Sequence, residues 1–215
     1  MGTFLLVIFL WIFSVCLHEF AHAWVAYDGG DTSVKEKGYL TMNPLKYLDP
    51  LTSVILPVVI LLLGGIGLPG AAVYIDRSKL RSKARESAVA LAGPAANLAL
   101  LFVLSILLHH TGLGASEFGP PLAFLGLLQA SAVVLNLLPL PGLDGYGVLS
   151  PYLPAEQRQQ FDQYGRIALL TLVVLLFVVP QFAQLFWSSV RSLAQIVGIP
   201  LGLAAKGYAD FRFWD

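Results

Sequence analysis

Five predominantly apolar stretches pattern the chain, at residues 2–27, 51–69, 87–108, 121–140 and 166–186. About 20 apolar residues cross a bilayer as a helix, so each stretch is a candidate crossing. The second differs from the rest. It contains Pro57 and ends in Leu63-Gly64-Gly65-Ile66-Gly67-Leu68-Pro69, a run that sustains a helix poorly, so the chain is expected either to re-enter there or to return through the protein as an extended strand. The next residues, Ala71-Ala72-Val73-Tyr74-Ile75-Asp76, have strand composition. From Phe186 to Asp215 aromatics mix with Arg191, Gly198 and Pro200, which reads as an interfacial tail rather than a span.

Composition supports a multi-pass membrane protein. The mean hydropathy is +0.74, and 12% of residues are charged, against about 25% in soluble domains. Lys plus Arg balance Asp plus Glu at 13 each, and no basic patch is interleaved with aromatics, so nucleic acid is not an expected partner. The single cysteine, Cys16, excludes an intramolecular disulfide and a cysteine zinc cluster, and reads as a packing residue. The first stretch lacks a basic leading region and a small-residue cleavage site, so it is expected to be a mature membrane helix rather than a signal peptide.

Charge also gives a topology. Lys35, Lys37 and Lys46 in the first loop, and Arg77, Lys79, Arg81, Lys83 and Arg85 before the third stretch, mark both loops as cytoplasmic. Residues 109–120 hold no Lys or Arg and are expected outside, as is the N-terminus. Arg191, Lys206 and Arg212 fit this scheme less well.

Chemistry enters at His18-Glu19-Phe20-Ala21-His22, inside the first apolar stretch. Two histidines four residues apart on a helix lie about 40° apart around its axis, so both imidazoles can bind one Zn²⁺ while Glu19 reaches its water. Three ionisable groups within five residues of a membrane helix are costly and need a shared purpose. A catalytic zinc takes three protein ligands, and the best third candidate is Asp144, in Asn136-Leu137-Leu138-Pro139-Leu140-Pro141-Gly142-Leu143-Asp144-Gly145. Two prolines and two glycines before and around it break the helix and let a carboxylate turn back into the bundle. Taken alone, the Asp-Gly pair reads as an ordinary turn. His109 and His110 are consecutive, cannot share a helix face and are expected at the interface. Trp11, Trp24, Trp187 and Trp214 read as interface or packing aromatics.

The pair H-E-F-A-H and N-L-L-P-L-P-G-L-D-G resembles the motifs H-E-x-x-H and N-x-x-P-x-P-x-L-D-G of the site-2 protease family, intramembrane zinc metalloproteases. The resemblance extends through Gly38 to Pro44, Asp49-Pro50 and Ala92 to Leu98, covers roughly residues 10–150, and is to short bacterial members without a PDZ or CBS module. It implies one zinc per chain held by His18, His22 and Asp144, with Glu19 as catalytic acid and base. The fold expected is an all-α polytopic membrane protein of four to six membrane helices, with a small membrane-associated β element at residues 71–76. Residues 1–215 form one membrane metalloprotease domain, with a catalytic core at about 3–150 and a C-terminal helix and tail at 151–215. Asn136 is expected to bind substrate backbone or the oxyanion. Asn97 either binds substrate, or satisfies carbonyls freed beside Gly93-Pro94 or bridges helices. Val73, Tyr74 and Ile75 are expected to pair with an unwound substrate by strand addition. The implied partners are a transmembrane protein or peptide substrate and the bilayer, and the implied location is a bacterial cytoplasmic membrane. The alternative is a non-proteolytic zinc-binding membrane protein or a metal transporter. Intact Glu19 disfavours it, and so does the scarcity of polar residues along residues 121–135 and 166–179.

Overall fold

The first helix, α1, runs unbroken from Gly2 to Gly29. Its apolar composition sustains it, and Gly30, at φ 121°, ends it by donating its N–H back to Ala26 and Tyr27 carbonyls. The computed structural model describes residues 1–43, Lys46 and 73–213, apart from the side chain of Arg166. The expected re-entry or extended return at 51–69, and residues 44, 49–50 and 71–72 of the segments named above, lie outside the described residues.

After the short helix α2 (Ser33–Glu36), the next long helix is α3 (Lys83–His110). Ser82 caps α3, its side chain accepting from the Arg85 N–H, and Glu86 in the first turn complements the helix dipole. The helix α4 (Gly119–Asn136) starts with prolines in its first turn, where a missing N–H costs nothing, and ends before Pro139 and Pro141. The chain then turns through Gly142, at φ 95°, into α5 (Asp144–Leu149). Four further helices follow: α6 (Ala155–Gln163), α7 (Gly165–Val178), α8 (Pro180–Val197) and α9 (Leu201–Phe211).

Helices α1, α3 and α4 are each long and apolar enough to cross a membrane, and α6 with Ile167–Val178 passes the same test only as a pair bent by 56°. Among the described residues there are therefore three such spans, or four with the bent pair. The expected span at 166–186 is broken, because Pro180 cannot donate to the preceding turn and starts a new helix instead. The expected β element also fails: no strand occurs among the described residues, and 73–76 runs without regular structure. A strand needs a partner for its N–H and C=O groups. Here those of Val73, Tyr74 and Asp76 bond to side chains instead.

The helices α1 and α3 pack along each other, α3 packs on α4, and α9 lies along α4. The tail expected at the interface thus folds back on the core. Phe211 is fully buried, in ring contact with Phe4 and Phe124, while α8 turns Phe186, Val190 and Ala194 inward. Within the spans, Ser14 receives a hydrogen bond of 2.9 Å from Gln129, a polar clasp between α1 and α4.

Arg85 at the start of α3 pairs with Asp28 at the end of α1 at 2.6 Å, and the Arg81 N–H donates to the Gly29 carbonyl at 3.0 Å. One end of the bundle therefore gathers both Lys/Arg-rich segments, and the turn containing Ala115 links α3 and α4 at the opposite end of α3. Single cysteines in a Cys16→Ser background should label from the same face at positions 35 and 81, and from the other face at 115. Labelling of 35 and 81 from opposite faces would reject this arrangement.

Candidate metal centre

His18 and His22 project from the second half of α1, one turn apart, and their Nε2 atoms stand 3.0 Å from each other. Asp144, the first residue of α5, meets both: its carboxylate oxygens are 3.3 Å from His18 Nε2 and 3.4 Å from His22 Nε2. One ligand atom from each of the three residues lies within 4.8 Å of the others. Four groups bound tetrahedrally at about 2.0–2.2 Å stand about 3.3–3.6 Å apart, so both carboxylate–imidazole distances match a zinc ion, and the two imidazoles need only separate by a few tenths of an ångström.

Hydrogen bonding supports that fit. His22 Nδ1 lies 2.7 Å from the Val89 carbonyl, which can only accept, so this nitrogen carries the proton and Nε2 keeps its lone pair. His18 Nε2, 3.0 Å away, either donates a proton to that lone pair or shares a cation with it. The half-buried Asp144 carboxylate supplies the matching negative charge beside two buried imidazoles. His18 Nδ1 has no hydrogen-bond partner among the described residues.

Two glycines let these residues converge. At Gly93 of α3 a Cβ would fall inside the contact radii of both His18 Nε2 and His22 Nε2, so the α3 backbone itself forms one wall of the centre. Pro94 follows it and gives no N–H to the Ala90 carbonyl, loosening the turn that offers the Val89 carbonyl to His22. At Gly145 a Cβ would collide with the Leu137 and Leu138 carbonyls, because the loop folds back tightly on the end of α4 to aim Asp144 at the histidines.

Glu19 is buried beside the ligands, and its Oε2 accepts the Val73 N–H at 3.1 Å. A cleft of about 480 Å³ opens from the centre and is bordered by Glu19, Val73, Tyr74, Ile75 and Asn136. Asn97 is buried in α3 and is not among the residues lining the cleft. Further out the cleft is polar. Glu86 of α3 binds Arg158 of α6 and lies 3.5 Å from Arg77, tying three segments together at the rim. Tyr146 stands there too: burial and the neighbouring Asp162 carboxylate push its phenol up to about 12, so it stays protonated at neutral pH. His109 and His110 are exposed at the far end of α3, away from the centre.

Sequence reasoning missed two parts of this arrangement. A backbone carbonyl such as that of Val89 has no residue signature. Gly93 was legible only as part of a helix-weakening Gly-Pro pair, although a glycine inside an apolar helix is also the usual mark of a close approach.

The whole chain aligns at 44% identity with "Putative zinc metalloprotease Rip2" of Mycolicibacterium smegmatis, covering 82% of that protein. It aligns at 43% identity, again over its full length and 82% of the relative, with the protein of the same name from Mycobacterium tuberculosis H37Rv. "Putative zinc metalloprotease YwhC" of Bacillus subtilis is 36% identical over 82% of this chain and 81% of its own length. No family model matches the chain. No solved structure matches it either.

Proposed function

The chain belongs to the site-2 protease family of zinc metalloproteases, and from that premise we propose that it is an intramembrane endopeptidase that hydrolyses peptide bonds of membrane-spanning substrates. The observation that carries this reading is the convergence of Asp144 with His18 and His22 beside Glu19, the last three on α1, a helix apolar enough to cross a bilayer. The residues that would hold the zinc, one ion per chain, are His18, His22 and Asp144. When bound, zinc supplies a Lewis acid that polarises the scissile carbonyl and acidifies water.

The chain's own groups do the rest. Glu19 takes a proton from the attacking water as its oxygen bonds the carbonyl carbon, and delivers that proton to the amine nitrogen as the C–N bond breaks. With Oε2 fixed by the Val73 N–H, Oε1 is the oxygen left to do this. Asn136, at the end of α4 and bordering the cleft, offers its amide to the substrate backbone or to the developing oxyanion. A membrane helix hides its peptide bonds in internal hydrogen bonds, so the substrate must unwind before it is cut. Val73, Tyr74 and Ile75 border the cleft, and the unwound segment passes beside them. The Val73 N–H and the Tyr74 carbonyl are already held by Glu19 and Lys37, so this stretch, with its exposed Tyr74, lines the path rather than adding a strand to the substrate. Asn97, buried away from the cleft lining, bridges helices in this reading rather than touching substrate.

The Lys/Arg-rich loops at the Glu19 end of α1 and α3 support cleavage near the cytoplasmic face of a bacterial cell membrane. Comparative membrane proteomics of cells carrying the active enzyme or Glu19→Gln tests the reading. Uncleaved single-span proteins should accumulate with Glu19→Gln and identify the substrates. Identical proteomes, with both forms expressed and loaded with zinc, would contradict it.

A further inference from the structure

Just past the metal-binding helix, Asp31 is wholly buried although it is a carboxylate. Its Oδ1 accepts from the Ser33 N–H at 3.0 Å and the Ser33 hydroxyl at 2.6 Å, which closes the turn into α2. That turn leaves Oδ2 free for another donor. The donor is distant in sequence: the Asp76 N–H, at 2.7 Å. The same short stretch is held a second time, where the Lys37 ammonium donates to the Tyr74 carbonyl at 2.7 Å. Its far end delivers the Val73 N–H to Glu19. Val73 and Ile75 also pack on the small apolar cluster of Cys16, Ala23, Ala26, Val34, Tyr39 and Val89.

We propose that Asp31 is a positioning residue for hydrolysis: its carboxylate, through the Asp76 N–H, fixes residues 73–76 so that the Val73 N–H orients Glu19. The proposal rests on the peptidase reading above. A carboxylate free to rotate in a cleft presents either oxygen, or neither, to the attacking water. One oxygen held by a main-chain N–H leaves the other in a defined place. Holding that N–H in turn requires the 73–76 backbone to be tethered, because no strand partner supports it among the described residues. Asp31 and Lys37 supply the tether from the segment that directly follows α1, the helix carrying Glu19. The base and the donor that orients it thus share one frame. A charged acceptor makes the Asp76 bond one of the stronger kinds, and burial shields it from water.

The Asp31 carboxylate also closes a turn, so a change there alone is ambiguous. The discriminating pair is Asp76→Pro, which removes the N–H that Asp31 accepts, against Asp76→Ala, which keeps it. Both lose the Asp76 bonds to Ser78, and φ −83° at this position suits proline. The full chain in detergent, loaded with zinc, is assayed on fluorescein-labelled casein, with amide hydrogen exchange at residues 73–76 and bound zinc measured in parallel. Asp76→Pro and Asp31→Ala should each lower kcat about tenfold or more, as expected for losing one hydrogen bond to a charged group. KM should change less, exchange at Val73 should quicken, and zinc should stay bound. Asp76→Ala should keep the parental kcat.

Parental kcat in Asp76→Pro with faster exchange at Val73 would overturn the proposal, since the segment would be loose and Glu19 indifferent to it. So would unchanged exchange, or a rise in KM alone. A parental chain that holds no zinc, or cuts neither casein nor a single-span reporter, would instead count against the peptidase reading itself, which separates the two failures.

Discussion

Glu19→Gln is expected to abolish peptide hydrolysis while leaving zinc bound. An amide keeps the size and one acceptor of the carboxylate but cannot take a proton from water, and general-base catalysis is worth about 10²–10⁴-fold in rate. Glu19 is not among the three residues whose atoms converge on the metal position, so the centre should persist. Its Oε oxygen can still accept the Val73 N–H, which keeps the local backbone as it is. Cleavage of a reconstituted single-span reporter, followed together with bound zinc, checks this. Activity within tenfold of the parent would assign the proton transfer to another group.

The second large effect is expected from a single methyl group. Gly93→Ala puts a Cβ against both imidazole Nε2 atoms, where α3 has no room to retreat because its next residue is Pro94 and it packs along both α1 and α4. The histidines must rotate away, and metal affinity should fall on the order of 10–100-fold, as when the groups that orient metal ligands are lost. Competition with a chromogenic chelator measures that affinity. Retained affinity in a folded Gly93→Ala protein would mean that α3 is free to move away from α1, contrary to the packing described here.

The sequence was most informative where chemistry and periodicity coincide. His18 and His22 were legible because a four-residue spacing on a long apolar helix has one geometric consequence. Asp144 was legible because prolines and glycines mark the place where α4 must stop and the chain turn back. Less legible were features decided by what an element packs against. Val73 to Asp76 has strand composition, but its hydrogen bonds go to Glu19, Lys37 and Asp31, and composition says nothing of which partner a backbone finds. The tail reads as interfacial because an apolar helix face suits lipid and protein alike, and here α9 takes the surface of α4. Pro180 splits what apolar content alone presents as one span. Asp31 carries no motif at all. Its role follows from two segments, far apart in sequence, meeting at one buried carboxylate.

Metal analysis of the purified parental chain beside His18→Ala, His22→Ala and Asp144→Ala tests the account most directly. A centre built on these three residues should hold about one zinc per chain and lose most of it in each variant, with helical content preserved. Full zinc occupancy in Asp144→Ala would contradict the account, because the loop that turns back after α4 would then have no part in the metal centre.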